Sequence, residues 1–142
     1  MRLLAIFAAI IMKYVFIFLC TALVACGGDN EYQKAEDAQD AGREFIRATL
    51  DGDHDKARFY LFKDTTNLLL LKQHTLNYDQ QSARDKKEFR ASSIRPVEIR
   101  AVNDSVTLFK YHNTFHSNDT TTLRIIRVNG EWLVDLKSII KM

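Results

Sequence analysis

The chain is poor in the residues that punctuate or staple a fold: of 142 residues, one is proline, 5 are glycine and 2 are cysteine. So little proline and glycine excludes collagen-like and low-complexity chains, and so little cysteine excludes a disulfide-dense miniature fold. Charge of one sign is scarce as well. The formal net charge is +2, and Arg2 and Lys13 are the only charged residues ahead of Cys26, so from Cys26 onward basic and acidic residues balance. A neutral body argues against nucleic-acid binding, which needs a basic excess to displace counterions from phosphates. What is present, 46% hydrophobic and 27% charged residues, suits one ordinary folded domain, and the length leaves no room for two.

The long hydrophobic run is confined to the first 25 residues and is itself interrupted. Leu3 to Ala25 is apolar apart from Lys13, Thr21 and a few small or tyrosyl positions. Leu3 to Met12 is too short to cross a bilayer, and Tyr14 to Ala25 has the length of a signal-peptide core rather than of a transmembrane helix. Met12-Lys13 reads as an alternative translation start that leaves a compact signal with one positive charge. The run ends in Leu23-Val24-Ala25-Cys26-Gly27, which resembles the lipobox of bacterial lipoproteins. The resemblance implies a diacylglyceryl group on the Cys26 thiol, cleavage between Ala25 and Cys26, and an N-acylated Cys26 as first residue. No other cofactor is implied. At roughly 0.8 kcal/mol for each buried methylene, two or three acyl chains make such an anchor practically permanent. Cys20 lies in the discarded signal and Cys26 is consumed by lipid, so thiol catalysis, cysteine-based zinc sites and disulfides are excluded. The expected organisation is therefore a signal over 1–25, a lipidated cysteine and short polar tether over 26–30, and a domain over 31–142 lying near the membrane surface. Gly27 is unlike the Asp that retains lipoproteins in the inner membrane of some Gram-negative bacteria, which favours the outer membrane.

In the body, Ala35, Ala38, Gly42, Phe45, Ile46 and Leu50 recur at helical spacing, predicting an amphipathic helix over Glu31 to Asp51 with Asp29 or Asn30 as cap and Gly52 as stop. Asp53 caps a second, shorter helix with Ala57, Tyr60 and Leu61 inward. Asp64 starts a third, whose Leu68 to Leu71 and Leu76 suggest packing on more than one side. From Ser93 the period changes to two. Strands are expected around Val97 to Ala101, over Val106 to His116, over Thr120 to Val128 and over Glu131 to Leu136, with Pro96 at a strand start or sheet edge and Asn129-Gly130 as a hairpin. Helices first and a meander afterwards predict an α+β domain, its N-terminal helices packed on a curved antiparallel sheet.

The acidic helix with Phe45-Ile46, the Asp51-Gly52-Asp53 break, the Lys56-Ala57 to Tyr60-Leu61 helix and the Asn129-Gly130-Glu131-Trp132-Leu133-Val134-Asp135 hairpin together resemble small bacterial lipoproteins of the nuclear-transport-factor-2-like, or cystatin-like, cone fold. That resemblance spans about residues 31 to 140 and rests on structural punctuation, not on chemistry. Relatives of the fold include ketosteroid isomerases, cyclases, transport factors and binding modules, so fold alone does not decide function.

No nucleotide loop, nucleophile elbow or His-Glu-x-x-His motif is present. His112 and His116 are expected on one face of one strand, where four residues span about 13 Å, too far to share a metal ion. No metal site is expected. An isomerase-like enzyme needs a carboxylate base and a tyrosine or protonated acid in the cone; Tyr60, Tyr78, Tyr111, His112 and Asp135 supply such groups, but Asp135 is expected to face outward and Tyr60 to sit in the core. The basic run Arg84, Lys86, Lys87, Arg90, Arg95 and Arg100 is interleaved with acids and reads as a solvated, salt-bridged helix end rather than as a surface for anionic lipid. The candidate pocket comprises Tyr60, Tyr78, Phe109, Tyr111, His112 and Trp132. The functional expectation is a non-catalytic, membrane-anchored envelope lipoprotein that binds a small apolar ligand or a partner protein. An isomerase or cyclase, or a purely dimerising module, is the alternative.

Overall fold

The computed structural model describes residues 32–141, with side chains as far as Lys137. Leu23, Val24, Ala25 and Cys26, and the expected caps Asp29 and Asn30, lie outside the described residues. Helix α1, Ala38–Asp51, opens on Asp37, whose carboxylate accepts the Asp40 N–H at 2.7 Å. The helix therefore starts seven residues later than the apolar spacing suggested. A capping side chain two turns into the amphipathic pattern satisfies an otherwise orphaned donor and fixes the boundary there. Ala38, Ala41, Phe45, Ile46, Ala48 and Leu50 are its buried residues, with Gly42 at its closest approach to the sheet.

Gly52 ends α1 in the left-handed region, φ 74°, and its N–H returns to the Ala48 carbonyl. Asp53 caps α2, His54–Phe59, and Asp64 caps α3, Thr65–Asp79. Two expectations about these helices fail. Leu69, Leu70 and Leu76 are exposed, so α3 is packed on one side only, through Asn67, Leu71 and Tyr78. And the basic run that read as a helix end begins inside a separate helix, α4, Ala83–Ala91, capped by Ser82, whose hydroxyl accepts the Asp85 N–H. Ser82-Ala83-Arg84-Asp85 is a local capping signature that the absence of any buried residue in α4 disguises.

The sheet is an antiparallel meander in the order β1-β2-β3-β4, with β1 Ile94–Asn103, β2 Val106–Asn113, β3 Thr121–Val128 and β4 Glu131–Lys141. The β3–β4 hairpin turns on Asn129 and Gly130, φ 52° and 84°. Strand β2 stops at Asn113, short of the expected His116. The Asn113 carboxamide oxygen accepts the N–H groups of Phe115 and His116, a local turn that competes with the ladder.

The helices cover one face of the sheet. Phe109 pairs with Leu123, and Ile125 with Val134; all four are buried against α1. A Cβ on Gly42 would lie 2.8 Å from Ile125 Cδ1 and 3.1 Å from Phe109 Cδ2, so the absence of a side chain there sets how close α1 comes. Beyond β4 the chain leaving α2 adds a parallel bridge: Val134 donates to the Tyr60 carbonyl at 2.8 Å and Phe62 donates to the Val134 carbonyl at 2.9 Å. At the other side β1 is an edge strand, as Pro96 predicts, and is exposed along nearly its whole length. Among the described residues no helix is long and apolar enough to cross a membrane.

A Gly52→Ala substitution tests the stop after α1. The new Cβ would lie 2.4 Å from Tyr78 Cε1 in a backbone conformation that L-residues avoid. Strain and overpacking together should lower the unfolding free energy by more than about 2 kcal/mol, measured as a shift of the urea midpoint at constant slope.

Candidate functional site

The six residues expected to line one pocket are dispersed. Tyr60 is buried at the end of α2, and its phenol donates to the Gln33 carbonyl at 2.7 Å. Tyr78 is packed on Gly52 between α3 and α4, its ring edge-on to His54 at 5.7 Å and beneath the Lys86 ammonium at 5.5 Å. Its phenol oxygen finds no hydrogen-bond partner among the described residues. Phe109 fills the core completely. Tyr111 stands beside it at 6.0 Å, whereas His112, one residue on, projects to the opposite face, as strand alternation requires. Trp132 lies at the β3–β4 hairpin beneath the Arg127 guanidinium, 5.6 Å from the ring centroid. Aromatic residues identified from sequence thus became core, inter-helix packing and hairpin surface, because register, not residue type, decides which of them meet. His116 leaves the strand and packs on Phe89 and Phe115, so the two histidines do not share a face of β2. Among the described residues no group of His, Cys, Asp or Glu is placed to hold a metal ion.

Asp135, expected outward, is buried. It does point away from Val134, but that side of β4 is closed by α3 and by Arg124. Asn67 Nδ2 donates to Asp135 Oδ1 at 3.1 Å, Arg124 Nη1 donates to Oδ2 at 2.9 Å, and the Lys137 N–H adds a third bond at 3.2 Å. The Asn67 carboxamide oxygen in turn accepts the Leu136 N–H at 2.8 Å, and the Asn67 backbone N–H donates to the capping Asp64 at 2.8 Å. Lys137 closes the ring by pairing with Asp64 through its side chain. The Asp64 carboxyl is consequently held below its ordinary range, first by the Asn67 N–H and then by the Lys137 ammonium. This arrangement joins α3 to β4; the Asp135 carboxylate is committed to three neighbours, Asn67, Arg124 and Lys137, and is not free to act as a base for a substrate.

The basic run resolves into separate structural contacts. Arg84 pairs with Glu88 one turn on, Arg100 with Glu98, Lys86 donates to the Asp79 carbonyl and Arg90 to the Asp51 carbonyl. Arg47 of α1 reaches the Ser92 and Arg90 carbonyls at 2.9 and 3.2 Å, fastening the end of α4.

One cavity, of about 480 Å³, lies outside the predicted set apart from Tyr60. Its walls come from the segment before α1, from Asp40 and Glu44 on the first turns of α1, and from Lys56 and Tyr60 of α2 and its exit. Two bonds hold the preceding segment in place: the Tyr60 phenol to Gln33, and the Tyr32 phenol to Asp53 Oδ1 at 3.2 Å. Lys56 pairs with Glu44 at 2.7 Å. Sequence reasoning missed this site because its residues are polar and read as the solvent face of α1.

Comparison with known proteins finds no matching family model, no matching curated protein and no matching solved structure. The class that the fold defines is an α+β domain: four helices followed by a four-stranded antiparallel meander, with the helices against the sheet.

Two measurements follow from these sites. Replacing Asp135 with Ala removes the acceptor of a fully buried amide and of Arg124, and should cost about 3 kcal/mol in urea unfolding. Burial pushes the Tyr111 phenol from its ordinary 10.0 up to about 12, partly offset by its bond with Thr121. A raised folded-state value means that the folded chain keeps a proton the unfolded chain loses. The contribution is therefore complete below pH 10 and disappears as pH rises toward 12. Stability of the parent protein should fall more steeply across that interval than stability of Tyr111→Phe, and parallel curves would contradict the assignment.

Proposed function

We propose that the chain is a bacterial envelope lipoprotein, attached to a membrane by lipid on Cys26, whose body is a non-catalytic module that binds a partner protein with its outer surface. The observation that carries this reading is Leu23-Val24-Ala25-Cys26 at the end of an apolar run, six residues before Tyr32, with no cysteine anywhere after it. Gly27 in place of an inner-membrane retention signal favours the outer membrane.

A partner protein has more support than a small apolar ligand. The space between α1 and the sheet is filled by Phe45, Ile46, Phe109, Leu123 and Ile125, each at most 5% exposed. Large apolar side chains remain on the outside instead: Leu69, Leu70 and Leu76 on α3, and Val97, Ile99 and Val102 on β1. The isomerase or cyclase alternative is weakened because Tyr60 and Asp135 are both committed to bonds within the fold. The finer fold proposal is the nuclear-transport-factor-2-like cone. It is supported by the order of helices before a meander, by the parallel bridge between Leu61 and Val134, and by register shifts that bend β1 and β4.

Expression of the full chain in a bacterial host fed an alkyne-bearing fatty acid tests the anchor. The parent chain should carry label and sediment with membranes, whereas Cys26→Ser should be unlabelled and appear as a soluble form or an uncleaved precursor. An unlabelled parent chain, or equal labelling of the two, overturns the reading.

A further inference from the structure

We infer that the outer face of α3 rests on a lipid bilayer, with its leucines among the headgroups and its lysine against their phosphates. The inference deepens the anchored reading above and rests on it. Of the two sets of exposed apolar side chains, that of α3 goes to the membrane and that of β1 is left to a protein partner. Leu69, Leu70 and Leu76 are 62%, 39% and 46% exposed on a helix of 15 residues. No acid occurs between Thr65 and Tyr78, whereas Lys72 is exposed and has no partner among the described residues. Lys63, two residues ahead of the helix, is exposed as well, its ammonium 5.9 Å from the Phe59 ring centroid. The carboxylates at the two ends are spent: Asp64 on the Asn67 N–H and the Lys137 ammonium, Asp79 on His54.

The length of chain ahead of the body brings a bilayer within reach of this face. From Cys26 to Tyr32 is six residues, a span of at most about 20 Å when extended. Tyr32 sits on the α3 side of the domain. Its ring lies 5.6 Å from Phe59, the ring that Lys63 overlies, and its phenol bonds Asp53, next to which His54 reaches Thr75 and Asp79 of α3. Lys34 pairs with Glu131 at the start of β4, the strand against which α3 packs. Strand β1 is at the opposite edge of the sheet and carries Glu98 among its arginines. Leucines flanked by lysines on long stems, with no free carboxylate, suit the headgroup layer of an anionic membrane: the apolar groups leave water while the ammonium groups reach phosphate. A second copy fits less well. A two-fold axis through the middle of this face would set one Lys72 beside the other, and like charges oppose such pairing.

The test expresses the full chain in a bacterial host, purifies it in detergent and reconstitutes it into vesicles of phosphatidylethanolamine and phosphatidylglycerol. Leu69→Cys, Leu76→Cys and Val97→Cys each receive an environment-sensitive fluorophore, since a lipidated Cys26 has no free thiol; intact mass reports that lipid separately. The labels at 69 and 76 should shift to the blue and be quenched by spin-labelled lipid several-fold more than the label at 97. Leu70→Gln with Lys72→Gln, both exposed positions, should bring quenching at 69 down to the level at 97. Lipidated chains whose labels at 69 and 76 are quenched no more than that at 97 overturn the membrane face and leave the anchor standing. A blue shift at 69 and 76 without quenching by lipid means that a protein or a second copy covers α3, and overturns it too. A mass without lipid overturns the anchor and this inference together. Residues 69 and 76 are separate exposed positions, so either label alone carries the test if the other variant does not fold.

Discussion

The arrangement of the domain hangs on one buried carboxylate. Asp135 lies on the last strand, 1% exposed, where an unanswered charge would be prohibitive. Its acceptors are met by an amide from α3, a guanidinium from β3 and a main-chain N–H of its own strand. Asn67 is the complementary half, a fully buried amide whose donor and acceptor are both used across the same junction. A buried polar pair of this kind contributes less net free energy than an apolar contact of equal size, but it accepts one register and one docking position of α3. The same junction also covers an edge. The outward N–H groups of Val134 and Leu136 are taken by the Tyr60 carbonyl and the Asn67 side chain, so β4 offers no free ladder along that stretch.

The opposite edge is handled differently. Strand β1 leaves Val97, Ile99 and Val102 exposed, because the helix layer lies mainly against β3 and β4. An apolar edge strand of ten residues is normally prone to pairing with another chain. Pro96 removes one donor, two register shifts, at Pro96/Glu98 and at Ala101/Asn103, break its straightness, and Arg95 and Arg100 add charge. These are the usual devices against edge-to-edge association. Side-chain contacts therefore suit this surface better than strand addition.

What was legible in the sequence was what local chemistry decides. Gly52, Asp53, Asp64 and Asn129-Gly130 act within four residues of themselves, and each performs the expected turn or cap. Asp37 and Ser82 are equally local, but each is masked by a stronger pattern: the apolar stripe that begins at Ala35, and the dense charge of α4. Residues whose role depends on a distant partner were not legible. Asp135 alternates correctly with Val134, yet alternation says nothing of Asn67, 68 residues earlier, which makes its face an interior one. The same limit scattered Tyr60, Tyr78, Phe109, Tyr111, His112 and Trp132, which share residue type without sharing a face. It also hid the polar cavity, assembled from a pre-helical segment and two helices whose carboxylates look solvent-directed in sequence.

A full interior constrains what the body can do. With Phe109, Leu123 and Ile125 closing the space under α1, a ligand that entered there would have to displace side chains at interior packing density, at a cost of several kcal/mol for a large residue. Recognition at the outer surface avoids that cost and leaves the junction of Asp135 with Asn67 undisturbed. The polar cavity comes closest to this condition, since apart from the core residue Tyr60 its walls are the segment before α1 and polar helical faces. The proposed anchor lies ahead of the described residues, and it can fail without the domain failing with it.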